Sequence, residues 1–495
     1  MRGMSGEMAV AASGPSGAGA VAAGSQATCE AAARILREGG TAIDAVVAGA
    51  FAATVAEPTL ASLGGGGFCL HAGPARQGQL GRAPRVVDFF VDMPGLDRPT
   101  GEPRAMDSLH VTFGSGVQQE FHAGWASVAV PGTLGGLLHL HAEGGRLPLA
   151  HVIEPARQAA FEGILLEEVQ VEFIRVIGPI LTLTAASAAL FTPPLRGEPF
   201  RNPAYARMLE QLADGVPAAT AYAAPLADEI GEHGGLVTRA DLAAYAVADR
   251  APVGARRGDG WIWTNPPPAF GGAIVLESLC LVPTEQPGQP DRDGVAGPLG
   301  LVDALRSATQ RHRSHAPEVR RGTTHLSVVD GEGGIAALSL SNGSGSGTVA
   351  GGIALNNMLG EADLHPGGFH SLPPGARLSS MMAPVITVAD DGAMRAMGTG
   401  GSERIRSALV QVLVRALDEG STLAEAIAAP RLHVGEDLVD VEPGFAQAYV
   451  DTLGQTRVWP TPDLYFGGVH AVSRDADGRV TAVADRRRGG AVAIV

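Results

Sequence analysis

Apolar residues fall at helical spacing through "ATCEAAARILREGG", Ala27 to Gly40, which predicts an amphipathic helix stopped by Gly39 and Gly40. Thr41 can cap a second helix, with Asp44 three residues on at capping-box spacing. That helix runs into "AVVAGAFAATVA", Ala45 to Ala56, an unbroken apolar stretch between Asp44 and Glu57. It is too short to span a bilayer and reads as a buried helix. "LGGGGF" then predicts a tight turn into a strand.

Between Val152 and Tyr245 the pattern is mainly helical, as in "NPAYARMLEQLADG" and "TRADLAAYA", the second opening with Thr238 and Asp241 at capping-box spacing. From Leu281 to Arg321, "VPTEQPGQPDRDGVAGPLG" and "RSATQRHRSHAPEVRRG" are rich in proline, glycine and charge and read as a surface linker, with His312 and His315 solvated. After Thr323 the period changes to two. "THLSVVD", a "GEGG" turn and "IAALSLSN" predict a hairpin, followed by strands at "APVITVAD" and "AMRAMGTG" and a helix at "RIRSALVQVLVRALDEG". Strand pairs followed by helices predict an α+β fold, a layered sandwich of sheets between helices.

A chain of 495 residues can bury a large core without disulfide staples. Cys29, Cys69 and Cys280 form no C-x-x-C pair and read as buried free thiols. A formal charge of −15 offers no basic footprint for nucleic acid or anionic membrane. All 36 basic residues are arginine. The absence of lysine removes pyridoxal Schiff bases, P-loop phosphate binding and Ser-Lys dyads. The amino terminus lacks the basic region and apolar run of a signal peptide, so a soluble cytoplasmic protein is expected.

No G-x-S-x-G elbow occurs, and "HLHAEGG", His139 to Gly145, lacks zinc-ligand spacing, so neither a metal nor another cofactor is expected. None of the glycine runs "LGGGGF", "SNGSGSGTVAGG" and "MGTGGSER" meets the dinucleotide fingerprint; each is a tight turn or a close approach of backbone to a ligand. The remaining nucleophile is Thr323. A threonine hydroxyl needs a base, and one solution is a chain break that frees its own α-amino group, whose pKa is ordinarily roughly 8. A linker ending in Gly322 and Thr323 at the start of a strand fits that scheme, and fits an ordinary strand threonine as well.

Ten stretches, in order along nearly the whole chain, resemble the γ-glutamyltranspeptidase family of N-terminal-nucleophile hydrolases: "EGGTAIDAVVA", "LGGGGF", "SVAVPGTLGG", "GGLVTRADLAAY", "PPPAFGG", "TTHLSVVD", "GIALNNMLGE", "RLSSMMAP", "GTGGSERI" and "APRLHV". The resemblance implies a precursor that cuts itself between Gly322 and Thr323. Residues 1–322 would form a large subunit and 323–495 a small one, intertwined in one four-layer αββα domain, with a dimer of these units allowed. It makes Thr323 the nucleophile, first on the Gly322 carbonyl and then on a small γ-glutamyl or related amide, with Ser341 hydrogen-bonded to it. Asn342, Asn357 and Glu361 become substrate contacts, the last two for a donor's α-amino group. Ser379 and Ser380 bind its α-carboxylate, and Gly400 and Gly401 supply an oxyanion hole. His325 and Thr324 read as structural.

Two departures alter what is expected of the substrate. The family places a carboxylate-clamping arginine in a D-F-R-E-type motif, where "VVDFFVDMPG" has Phe90, with Arg85, Arg98 and Arg104 nearby. The segment between Glu361 and Ser379 is short, implying a reduced lid and hydrolysis over transfer. A γ-glutamyl donor such as glutathione, a carboxylate amide of another kind, oxamate-like or cephalosporin-type, and a non-catalytic binder are the three readings these residues leave.

Overall fold

The computed structural model describes residues 8–73, 84–97, 105–112, 118–192, 197–284, 300–312, 322–365 and 367–495. The helices expected near the amino terminus form at Gln26–Arg37 and Ala42–Ala56. Ser25 caps the first, and Thr41 and Asp44 close a reciprocal capping box on the second. In the second helix every residue but Thr54 is buried, as the unbroken apolar run requires. Thr238 and Asp241 form the same box at the start of Arg239–Ala244.

Two seven-stranded sheets carry the fold, each antiparallel throughout. The first runs Ala9–Gly14, Val480–Asp485, Gly468–Arg474, Met394–Gly400, Val385–Ala389, Gly260–Thr264, Val253–Arg257. The second runs Ala491–Ile494, Ala20–Ala23, Gly322–Val329, Ile335–Gly343, Gly66–Ala72, Arg85–Phe89, Ala248–Arg250. Gly322–Val329 lies across Met394–Gly400 and Gly468–Arg474, so the sheets meet at the strand that begins with Gly322. The Ala42–Ala56 helix packs on the hairpin of the second sheet, and Arg404–Leu417 and Gly271–Leu281 pack on the first. Helices packed against antiparallel sheets make the molecule α+β.

Two expectations are corrected. The stretch taken as linker contains a helix, Leu301–His312, whose Leu301, Val302, Leu305 and Ala308 form a buried stripe against Gly271–Leu281. The proline- and glycine-rich run before it and the arginines within and after it obscure that stripe in the sequence. His312 there meets Glu277 at 2.5 Å. Cys29 and Cys69 are buried, but Cys280 is exposed near the end of its helix. Arg98, Arg104, His315 and residues 313–321 lie outside the described residues. Among the described residues no helix is long and apolar enough to cross a membrane.

Candidate active site

The hairpin register shifts at its mouth: Gly322 pairs with Gly343 and Thr323 with Ser341, leaving Asn342 as an extra residue in a bulge. The bulge places the Ser341 hydroxyl between Thr323 and the carbonyl before it. Ser341 Oγ donates to the Gly322 oxygen at 2.8 Å and receives the Thr323 hydroxyl at 3.4 Å. The Gly343 amide donates to the same Oγ at 3.1 Å and fixes it from behind. Thr323 is buried, and a Cβ on Gly322 would sit 2.6 Å from the Thr59 carbonyl oxygen, so only glycine fits before it.

Gly400 ends a strand of the facing sheet against the Thr323 carbonyl. A Cβ there would lie 1.9 Å from the Thr323 carbonyl oxygen, an approach only glycine permits. Thr399 Oγ1 donates to the Gly400 oxygen at 2.8 Å and accepts from the Gly468 amide at 2.9 Å. Because the Gly400–Gly401 peptide is trans, holding its oxygen on Thr399 turns the Gly401 N–H to the opposite side. Gly401 has φ +127°, a backbone conformation that favours glycine.

The next two strand residues are held by groups behind the site. Thr324 donates to Glu57 at 2.5 Å, and Thr28 donates to the other oxygen at 2.8 Å. Burial pushes the Glu57 carboxyl up to about 7 against the lowering effect of those hydroxyls. His325 is buried with Ser339 and Ser327 hydroxyls 2.9 Å from its two nitrogens. Burial, with His470 beside it, holds its pKa well below the ordinary imidazole value. It is neutral and fully bonded, a structural residue.

The other sequence-derived residues divide. Asn357 Oδ1 and Glu361 Oε1 both accept from the Ser344 amide, at 2.8 and 3.2 Å, and pin the loop that follows Gly343. Asn342 Nδ2 donates to the Leu355 oxygen at 3.3 Å, and its Oδ1 abuts Gly65. Ser380 Oγ accepts from the Met382 amide, and its carbonyl accepts from Phe270 and Gly271; Ser379 Oγ lies 3.5 Å from the Leu364 oxygen. Phe90 is buried, stacked on Phe68 at 5.6 Å between ring centres. Arg85 lies on the surface near Asp249. In the run Gly64–Gly67 the chain approaches backbone closely: Cβ atoms on Gly64, Gly65 and Gly67 would meet the oxygens of Ala354, Ser341 and Ser339 within 2.4 Å.

A cavity of about 430 Å³ opens beside Gly322 and Ser344. Its walls include Phe173, Tyr465 and two buried arginines, Arg404 and Arg488. Sequence reasoning passes over both arginines and Glu57. Their signals are slight: an acid closing an apolar run before Pro58, a basic residue just past "GGS", and the last of three consecutive arginines. Among the described residues no group of three metal-ligating side chains is assembled.

A family model described as Gamma-glutamyltranspeptidase matches residues 28–309 and 298–495. The chain is 27% identical to the glutathione hydrolase proenzyme of Escherichia coli (strain K12), covering 92% of this chain and 87% of that one. It is 28% identical to the acylase ACY 1 proenzyme of Pseudomonas sp. (strain SE83), over 92% and 90%. Its fold is similar to the crystal structure of a cephalosporin acylase from Bacillus halodurans, with a TM-score of 0.77, 26% identity and coverage of 98% of this chain and 96% of that one.

Proposed function

The chain belongs to the γ-glutamyltranspeptidase family, and from that premise we propose that it is a self-processing amidohydrolase with Thr323 as nucleophile. The observation that carries this reading is the Ser341 hydroxyl, which touches both the Thr323 hydroxyl and the carbonyl of the bond to be cut. In the precursor, Thr323 Oγ1 adds to the Gly322 carbonyl carbon. The Gly322–Thr323 C–N bond breaks as its nitrogen takes up a proton, and water opens the resulting ester. Residues 1–322 and 323–495 then remain together as large and small subunits of a four-layer αββα sandwich.

In the mature enzyme the freed α-amine accepts the hydroxyl proton, its ordinary pKa of roughly 8 suiting it to neutral solution. Thr323 Oγ1 adds to a donor amide while the Gly400 and Gly401 region stabilises the oxyanion, a role worth about 3 kcal/mol per donor in comparable sites. The amine leaves with a proton, and water or an acceptor amine releases the acyl group. Relatives named as glutathione hydrolases and as acylases match at nearly the same identity, so the donor is either a γ-glutamyl amide or a carboxylate amide of another kind. Phe90, packed in the core where a clamping arginine is expected, favours the second. Denaturing electrophoresis with terminal sequencing tests the scheme. The active protein should give two bands, the smaller beginning at Thr323, and Thr323→Ala should give one; an active but uncut wild-type chain sinks it.

A further inference from the structure

Successive side chains of a strand take opposite faces, and the residues after Thr323 follow that rule. A Cβ on Gly398 of the facing sheet would lie 2.4 Å from the His325 ring, whereas the Thr324 hydroxyl donates to Glu57 Oε2 at 2.5 Å, at the end of the Ala42–Ala56 helix. A Cβ on Gly24 would lie 2.5 Å from that oxygen and 2.8 Å from Thr324 Oγ1, so a third segment passes the contact as bare backbone.

Glu57 is itself fixed. Thr28 Oγ1 donates to its Oε1 at 2.8 Å, and Ser25, the cap of the Gln26–Arg37 helix, donates to Thr28 Oγ1 at 2.8 Å. Among charged neighbours Glu167, another acid, acts on it most, and Glu167 accepts from the Gln26 amide at 2.6 Å. A carboxyl 1% exposed that faces hydroxyls and an acid is costly to keep, and its shorter bond goes to the residue after the nucleophile.

These contacts hold the Thr323 backbone from two sides. Its carbonyl oxygen lies against Gly400 in the facing sheet, and the next side chain is tied to the helix layer. The Thr323 hydroxyl has a long tie by comparison, 3.4 Å to Ser341 Oγ. Its placement beside Gly322 therefore depends on the backbone, and a displacement of about 1 Å can cost about 100-fold in rate.

Resting on the self-cleavage reading above, we propose that Glu57 is a positioning residue for the cut, holding Thr324 so that the Thr323 hydroxyl stays within reach of the Gly322 carbonyl carbon. Glu57 touches no reacting atom and acts through Thr324. Thr28 shares the same carboxyl but lies on a helix, so its hydroxyl serves the network without serving the nucleophile.

The test follows the full chain made by cell-free translation, pulse-labelled, with the first-order appearance of the 323–495 piece read on denaturing gels. Glu57→Ala and Thr324→Val should slow the cut by about 10-fold to 100-fold. Glu57→Gln and Thr324→Ser keep the hydrogen bond and should restore the rate to within about threefold of wild type, and Thr28→Val should stay in the same range. A merely structural network predicts otherwise: Thr28→Val and Thr324→Val each remove one buried hydroxyl from one carboxyl, and would slow the cut alike. Their Tm values in the uncut Thr323→Ala background show that both fold, and this pair decides the matter if Glu57→Ala does not. Thr324→Val cutting as fast as wild type, or Thr28→Val as slowly as Thr324→Val, overturns the proposal and leaves self-cleavage standing. A wild-type chain that stays whole sinks the self-cleavage reading, and the positioning role falls with it.

Discussion

Glu57 is a carboxyl buried behind the nucleophile strand, accepting hydroxyls from Thr324 and Thr28. Its pKa is about 7 in the folded chain, because desolvation outweighs those hydrogen bonds. The folded state therefore binds more protons at this residue than the unfolded state between the ordinary carboxyl value and about pH 7. Stability from this group is fullest at low pH, declines as pH rises through that window and is level above it. Glu57→Gln keeps an acceptor for Thr324 and removes the titration. In the uncut Thr323→Ala background, urea unfolding at pH 5 and pH 8 should show the glutamine variant gaining on its parent by on the order of 3 kcal/mol as pH rises. Parallel behaviour of the two would mean that Glu57 is ionised throughout. At this scale Thr323, Gly322 and Gly400 are singled out by the family resemblance; the local pattern alone fits an ordinary strand threonine and tight glycine turns equally well. The partners of Asn342 are not legible, because an extra residue in the bulge decides which face a strand side chain takes, and no local pattern announces it.

The strand that runs beside Gly400 is fixed by a buried charge cluster of which only Arg431, in "APRLHV", falls within a motif read from the sequence. Arg431 pairs with Asp485 at 2.5 Å, Arg487 pairs with Glu442 at 2.7 Å, and Arg487 reaches Asp485 at 3.2 Å. Asp485 also accepts from the Val469 amide, and Arg431 reaches the Phe466 and Gly467 oxygens, which join the cluster to the strand paired with Gly400. Two positive and two negative groups balance, so removing one leaves an uncompensated buried charge. Arg487→Met should lower unfolding stability by about 3 to 5 kcal/mol, read as a lower urea midpoint at unchanged slope. Arg239→Met, which breaks an ion pair with Asp228 on the surface, should leave the midpoint in place. The Gly322–Gly343 hairpin and the Arg404–Leu417 helix are legible because their apolar runs are bounded by turn signals, although the strands are buried on both faces and the helix is buried from Arg404 to Arg415. Leu301–His312 shows the opposite case, where charged neighbours hide a short apolar stripe. The cluster depends on residues far apart in the chain, and one sequence carries no sign of their pairing.

At the scale of the molecule, the proposed cut separates the chain but not the structure. Ala9–Gly14 pairs with Val480–Asp485, Ala20–Ala23 with Ala491–Ile494, Gly66–Ala72 with Ile335–Gly343, and Gly260–Thr264 with Val385–Ala389. Both sheets therefore contain strands from each side of Thr323, and pulling the pieces apart requires unpairing them. Each piece alone would present unpaired strand edges and the apolar faces they cover, which favours aggregation over independent folding. Breaking one peptide bond at the start of an edge-free central strand removes none of those pairings. The processed protein should migrate as one species in native size-exclusion chromatography and yield two chains only under denaturing conditions. Tryptophan fluorescence, dominated by Trp125, Trp261 and Trp263 of the first piece, should change in urea together with the circular dichroism of the whole, as one coincident transition. Chains that separate in native buffer, or two transitions for the two pieces, would show that each folds as its own unit, in conflict with sheets built from both.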